Sequence, residues 1–224
     1  MDGTPVQKYS AVFFDFDGVL SIDRFYTTLE PDFPSAMRFI DETIFNGADN
    51  YADRWMRGEF TYHDINRLIS KATGVPFIRL TDLFIESVRR MRVNSTLTRF
   101  ALFLKQRGIK IALVTNNMDV FNEITIPEKG LVDIFPVIIN SFDYKRMKHD
   151  DNGKLFDIAL EKLGMDSYKG VYLVDDSLSN CALFTARRGY AHRYSGQKEF
   201  EAWVKTAPFE ETRSEANNIW ISGL

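Results

Sequence analysis

The chain has 224 residues, of which 45% are hydrophobic and 26% charged, and its formal net charge is −3. This composition excludes a disordered chain, and the length suits a core domain that carries a smaller inserted one. Because the charge is slightly negative, we expect no nucleic-acid polymer as a partner.

Short apolar runs that end in polar residues predict a sheet of parallel strands. These runs lie at residues 11–14, 109–114, 137–139, 171–174 and, more weakly, 190–194. Between them, apolar residues recur at helical spacing, as do Leu97, Phe100 and Leu104 before Gly108. Strands and helices that alternate in this way predict an α/β fold, here a Rossmann-like, doubly wound parallel sheet covered on both faces.

After the first predicted strand, this alternation is interrupted by a long segment with helical patterns alone. Within it, Thr61 and Asp64 resemble a capping box at the start of a helix. We therefore predict a small all-helical cap domain inserted into the α/β core. The predicted boundaries are 1–20 and 92–207 for the core, 21–91 for the cap and 208–224 for a C-terminal tail.

Two aspartates follow the first predicted strand, with Asp15 and Asp17 two residues apart and Gly18 next. Ligands of an open parallel sheet gather beyond the carboxyl ends of its strands, so we expect both carboxylates to face such a ligand. One carboxylate can attack phosphorus, while the other protonates the leaving oxygen and later deprotonates water. Gly18 allows the backbone to approach an anion closely. Taken alone, the pattern also fits an ordinary polar turn.

The next two strand ends carry groups that suit a phosphoryl ligand. Thr115 and Asn116 offer a hydroxyl and an amide to phosphoryl oxygens. Lys145 and Lys148 follow the third strand, and an ammonium group there would offset the charge of the phosphoryl group. A helix cap and solvated lysines would explain these residues equally well one at a time.

Adjacent carboxylates, Asp175 and Asp176, end the fourth predicted strand. Such a pair repels itself unless a cation or protons compensate. Together with Asp15 and Asp17 it could form a site of hard oxygen ligands suited to Mg²⁺. Four successive strand ends that carry a nucleophile, a hydroxyl, a lysine and an acidic pair are hard to explain as caps and turns.

This order of motifs resembles the haloacid dehalogenase (HAD) superfamily. The resemblance is carried by FFDFDGVL (13–20), LVTNN (113–117), the lysine region and VYLVDDSLSN (171–180). Segments outside the site are similar to members with a small helical cap after the first strand, namely WMRGEFTYHDI, ALFLKQRGIKIALVTNN and LFDIALEKLG. The resemblance extends to about residue 195.

The resemblance implies a Mg²⁺-dependent phosphatase. It makes Asp15 the nucleophile, which becomes an aspartyl-phosphate, and Asp17 the general acid and base. It assigns phosphoryl binding to Thr115, Asn116 and a lysine. It also implies a Mg²⁺ site formed by Asp15, the backbone carbonyl of Asp17, Asp176 and, nearby or through water, Asp175.

The lysine region departs from the usual family motif, and Asp17 narrows the expected reaction. The family usually has Lys-Pro where Lys148 precedes His149, and two extra residues precede the helix that begins near Leu155. The spacing favours Lys148 as the active-site lysine, with Lys145 as the alternative. Asp17 favours phosphoryl chemistry, because members that cleave carbon–halogen bonds need no acid at that position.

We expect hydrolysis of a small phosphorylated metabolite, such as a sugar phosphate or a nucleotide. A phosphomutase shares these motifs, but its cap must exclude water, and no feature of the sequence demands that. A degenerate phosphate-binding protein is a further alternative, although all the expected catalytic groups are present. A receiver domain is disfavoured because its acidic pair would come with the first strand. The sequence is compatible with a monomer or a homodimer.

The remaining features indicate a cytoplasmic protein. Cys181 is the single cysteine, which excludes an intrachain disulfide and fits a reducing compartment. No stretch approaches the roughly 18 apolar residues of a membrane span, and residues 1–10 lack the apolar segment of a signal peptide. We therefore expect no membrane partner.

Overall fold

The computed structural model describes residues 9–206. Its strands are β1 (Ala11–Phe14), β2 (Lys110–Thr115), β3 (Val137–Asn140), β4 (Val171–Asp175) and β5 (Tyr190–Arg193). All pairings are parallel, and the order across the sheet is β3-β2-β1-β4-β5. The chain therefore winds outward from β1 in one direction and from β4 in the other, which confirms the predicted doubly wound α/β fold.

The α-helices lie between and after these strands. They are α1 (Pro34–Phe39), α2 (Tyr51–Met56), α3 (Tyr62–Thr73), α4 (Phe77–Arg90), α5 (Ser95–Gln106), α6 (Ile126–Glu128), α7 (Leu131–Ile134), α8 (Ser141–Tyr144), α9 (Lys154–Lys162), α10 (Leu178–Ala186) and α11 (Gln197–Thr206). Turns of π-helix at Ile40–Phe45 and Phe121–Thr125 extend α1 and precede α6.

Apolar side chains cover both faces of the sheet. In β1, Val12 and Phe14 pack on one face, whereas Ala11 and Phe13 pack on the other, and all four are fully buried. Helices α5 and α11 contribute to the first cluster, and α9 and α10 contribute to the second. Because both faces are buried, the strands are continuous apolar runs rather than alternating ones.

The helices between β1 and β2 enclose a hydrophobic cluster of their own. Trp55, Ile69 and Phe84 are fully buried in it. The predicted capping box is present at the start of α3, where Thr61 and Asp64 bond each other's backbone N–H. The predicted cap boundaries, 21–91, enclose α1 to α4.

Three strands end one residue later than predicted, and this places polar residues inside the sheet. Thr115 ends β2 opposite Asn140, which ends β3, and Asp175 ends β4 opposite Arg193. Parallel pairing therefore continues through the first polar residue at the carboxyl edge.

Two further predictions concerned a C-terminal tail and the absence of a membrane-spanning segment. The predicted tail at 208–224 lies outside the described residues. Within 9–206, no helix is both long enough and apolar enough to cross a membrane.

Candidate active site

The candidate site lies where the winding of the sheet reverses, between β1 and β4. Asp15 follows β1 directly, and its N–H donates to the carbonyl of Val174 at 3.0 Å. Asp175 is the next residue of β4. The two carboxylates are therefore held side by side at the carboxyl edge, where open α/β sheets bind ligands.

Lys148 forms a buried ion pair with both carboxylates. Its Nζ lies 2.6 Å from Asp15 Oδ2 and 2.7 Å from Asp175 Oδ2, and its side chain is 1% exposed. Lys145 lies elsewhere, with its Nζ over the ring of Phe142 and 3.3 Å from the carbonyl of Gly58 in the cap. Of the two lysines considered from the sequence, the structure places Lys148 at Asp15.

Asp175 is held by several donors in addition to the lysine. Its Oδ1 accepts the N–H of Ser177 at 2.9 Å, and Asn180 Nδ2 donates to the same carboxylate at 3.1 and 3.2 Å. Both partners belong to the start of α10, so the first turn of that helix folds back over the end of β4. This network fixes the Asp175 carboxylate, and with it Lys148.

Asp17 is positioned by the end of β2 and by a tight turn. Asn117 Nδ2 donates to Asp17 Oδ2 at 2.8 Å, and the N–H of Asn117 donates to Ser141 Oγ at 2.9 Å. Gly18 has a φ of +79°, and its N–H donates to the Ser21 carbonyl at 2.7 Å. The turn therefore brings Asp17 back towards β2, on the same side as Asp15.

Burial and the surplus of carboxylates set the pKa values of the site. Burial raises the pKa of Asp17 to about 7, with Lys148 lowering it and Asp176 raising it further. Burial also raises the pKa of Asp15 well above its usual value, and the Lys148 ammonium opposes that shift. Burial alone would lower the pKa of Lys148, but Asp15 and Asp175 outweigh it, so this pKa lies above its usual value. The lysine is therefore charged, and Asp17 can exchange a proton near neutral pH.

Three carboxylates can together hold a metal ion. Oxygens of Asp15, Asp175 and Asp176 all lie within 4.8 Å of one another. Burial, followed by the charge of Asp175, raises the pKa of Asp176. One ammonium cannot balance three carboxylates, and carboxylate oxygens are the ligands that Mg²⁺ prefers, so the donor set fits this ion.

Thr115 supplies an unsatisfied donor at the end of β2. Its Oγ1 is buried and has no hydrogen-bond partner among residues 9–206. A bound anion at the sheet edge would provide the missing acceptor. Asn116 has a different contact, since its Oδ1 accepts the N–H of Lys148 at 2.7 Å.

The structure gives specific roles to three residues that were not assigned one from the sequence. Asn117, Ser141 and Asn180 hold Asp17 and Asp175 in place. Asn117 and Asn180 lie within the motifs LVTNN and VYLVDDSLSN, so the sequence marked both positions. Ser141 lay outside the quoted motifs, and its contact with Asn117 depends on how two loops meet.

Comparison of the sequence with protein-family models shows the family of this chain. The model of the haloacid dehalogenase-like hydrolase family matches residues 9–184. The chain is therefore a member of the haloacid dehalogenase-like hydrolases, as the motifs predicted. No curated protein matches the sequence significantly.

Solved structures of this family share the fold at low identity. The HAD family enzyme BT-2542 of Bacteroides thetaiotaomicron is 16% identical, with a TM-score of 0.70 over 88% of this chain and 98% of that one. A HAD-like family hydrolase of Porphyromonas gingivalis is 12% identical, with a TM-score of 0.66 over 88% and 97%. The L-2-haloacid dehalogenase of Xanthobacter autotrophicus is 17% identical, with a TM-score of 0.60 over 88% and 82%. The Bacteroides enzyme has also been crystallised with magnesium and inorganic phosphate.

Proposed function

We propose that the protein is a Mg²⁺-dependent phosphatase that hydrolyses a phosphate monoester through an aspartyl-phosphate. The observation that carries this proposal is the position of Asp17, whose carboxylate is held by Asn117 and lies two residues after the Lys148-paired Asp15. The fold is shared with a dehalogenase, so the fold alone does not select the reaction. An acid at this position is needed to protonate an oxygen leaving group, but not a halide.

In the first half-reaction, the Asp15 carboxylate attacks phosphorus, and the bond from phosphorus to the leaving oxygen breaks. Lys148 lowers the pKa of Asp15, and the positive charge of a bound cation would lower it further, so that the nucleophile is ionised. Asp17 donates its proton to that oxygen. In the second half-reaction, Asp17 takes a proton from water, which attacks the phosphorus of the aspartyl-phosphate and releases Asp15 and inorganic phosphate. A pKa of about 7 suits Asp17 to both roles.

The remaining groups bind the phosphoryl oxygens and the cation. The Thr115 hydroxyl, the Asn116 amide and the Lys148 ammonium would bind phosphoryl oxygens. Mg²⁺, when bound, supplies positive charge that favours the attack on a phosphate ester. Its ligands would be Asp15, the backbone carbonyl of Asp17 and Asp176, with Asp175 nearby or acting through water. The Bacteroides relative has been crystallised with magnesium and inorganic phosphate, which supports Mg²⁺ and a phosphoryl group as the ligands proposed for this site.

The surroundings of the site favour hydrolysis over phosphoryl return to a sugar. A cleft of about 770 Å³ begins at Gly18 and Asp176 and extends along Arg92 and Arg193. Asp176 itself is exposed, so water can reach the site, whereas a phosphomutase must exclude it. The cleft touches the site only at Gly18 and Asp176.

The direct test is phosphate release by the purified protein with Mg²⁺, from p-nitrophenyl phosphate and a panel of sugar phosphates and nucleotides. We expect EDTA to abolish release reversibly, and Asp15→Asn to lower kcat by at least about 1,000-fold, because it removes the nucleophile. Asp32→Asn is the matched control, since Asp32 pairs with Arg79 at 3.3 Å on the exposed surface. Normal turnover by Asp15→Asn would contradict the proposal. So would halide release from L-2-chloropropionate without any phosphate release.

A further inference from the structure

One ion pair joins the cap to the loop that carries Lys148. Arg57 follows α2 in the cap, and its Nε and Nη2 donate to Asp150 Oδ2 and Oδ1, both at 2.9 Å. Asp150 belongs to the core, two residues after Lys148. A bidentate contact of this kind fixes the orientation of both partners.

Asp150 also shapes the backbone beside the lysine. Its Oδ2 accepts the N–H of Met147 at 2.8 Å, and its own N–H donates to the Met147 carbonyl at 3.1 Å. On the other side, the N–H of Lys148 donates to Asn116 Oδ1 at 2.7 Å. The backbone at Lys148 is thus fixed by the core through Asn116 and by the cap through Asp150.

The loop after Lys148 has an irregular backbone. Asp151 and Asn152 have φ values of +48° and +55°, and Gly153 follows them with +87°. Aspartate and asparagine adopt this left-handed conformation more readily than other non-glycine residues. The loop therefore has no regular helix or strand pairing to hold it, and its side-chain contacts to Arg57 and Met147 fix its path.

The other contacts of Arg57 leave it little freedom to bind a substrate. Its Nη1 lies 3.7 Å from Asp53 on the same helix, while Nε and Nη2 are taken by Asp150. The side chains of Arg57 and Asp150 are 26% and 25% exposed, so solvent screens their pairing only in part. The guanidinium is engaged in holding the loop.

We propose that Arg57 is a positioning residue for Lys148. Through Asp150 it keeps the lysine loop in the conformation that sets the Lys148 ammonium against Asp15, so docking of the cap and placement of the lysine are linked. The kinetic consequences rest on the proposed phosphatase function. The effect on the loop does not.

The kinetic test compares Arg57→Gln, Asp150→Asn and the double variant with wild type. We expect Arg57→Gln to lower kcat about 10-fold to 100-fold, as misplacement of a catalytic group does, with KM changed less than about twofold. The double variant should be no slower than the slower single one, because both remove the same contact. Arg57→Lys should recover part of kcat, since one of the two bonds can form. Arg54→Gln is the control, because Arg54 pairs with Glu59 inside the cap at 2.7 Å, and it should match wild type.

Hydrogen–deuterium exchange tests the same proposal without activity. Arg57→Gln should exchange faster than Arg54→Gln in peptides covering 145–153, while peptides from α3 and α4 exchange as in wild type. Faster exchange throughout the cap would show a merely structural role and overturn the proposal. A raised KM with unchanged kcat, or additive effects in the double variant, would also overturn it. A wild-type protein that releases no phosphate from any ester would refute the proposed function, and the exchange result would still decide the role of Arg57.

Discussion

Thr115 shows how a single buried residue can point to a ligand. Its hydroxyl lies at the carboxyl end of β2 with no partner in the part of the chain that the structure describes. A buried polar group left in this way costs about 1–3 kcal/mol. The buried Thr115 hydroxyl therefore destabilises the free protein, and a bound anion that accepts its hydrogen bond would remove this cost.

Thr115→Val should affect phosphate binding and the stability of the fold differently, because it removes the hydroxyl and keeps the shape of the side chain. We expect the free energy of unfolding to stay the same or to rise, since an unsatisfied group is lost. Inhibition by inorganic phosphate should weaken about 10-fold to 100-fold, the equivalent of one hydrogen bond to a charged group. Urea denaturation and the inhibition constant measure the two effects, and Thr115→Ser should preserve both. A clear loss of stability in Thr115→Val would mean that the hydroxyl has a partner in the free protein.

At the scale of elements, the turn after β1 couples the backbone to the acidic pair after β4. Gly18 has a positive φ, and a Cβ at this position would overlap Asp176 Oδ2. The turn therefore needs glycine for two reasons, of which the second concerns the proposed metal site. Gly74, at the end of α3, has a similar φ of +76° but open space around its missing Cβ.

Alanine at these two glycines should distinguish strain from crowding. Each substitution places a side chain at positive φ, which costs about 1–2 kcal/mol of stability. Only Gly18→Ala also displaces Asp176, so we expect it to raise the Mg²⁺ concentration for half-maximal activity by about 10-fold or more. Titration of activity with Mg²⁺, together with the melting temperature, tests this. Equal Mg²⁺ requirements in Gly18→Ala and Gly74→Ala would argue against Asp176 as a ligand.

At the scale of the whole molecule, the cap and the core share one contact region. Asp119 follows β2 in the core, and its carboxylate accepts Trp55 Nε1 at 2.7 Å and the N–H of Tyr62 at 2.9 Å, both from the cap. Its neighbours Met118 and Val120 pack in the hydrophobic cluster of the cap. Because the loop after β2 completes the cap, we expect the two parts to unfold together.

Asp119→Ala should weaken this coupling. It leaves the two buried cap donors without their acceptor, at a cost of about 2–4 kcal/mol. We expect a lower melting temperature, a separate early transition in tryptophan fluorescence and faster proteolysis between residues 21 and 91. Asp82→Ala, which changes an exposed residue of α4, is the control. An unchanged single transition in Asp119→Ala would show that the cap does not depend on this contact.

The sequence by itself determined the elements and the order of the polar strand ends. The apolar runs located β1 to β5, and the Thr61 and Asp64 pair marked the start of α3, because periodicity and capping act within a few residues. The sequence also predicted that four carboxylates lie at one edge of the sheet, because parallel strands have their carboxyl ends at the same edge. These are the carboxylates of Asp15, Asp17, Asp175 and Asp176.

Only the tertiary structure decided which lysine meets Asp15 and what holds it there. The motif spacing favoured Lys148 but left Lys145 as an alternative, because the two lysines are three residues apart and helical or strand periodicity does not tell which ammonium turns inward. The Arg57–Asp150 contact spans 93 positions of the chain, and the contact of Asn117 with Asp17 spans 100. Such pairs form only where the packed sheet and cap bring distant loops within hydrogen-bonding distance. Local backbone preferences act over a few residues, so they cannot predict these contacts.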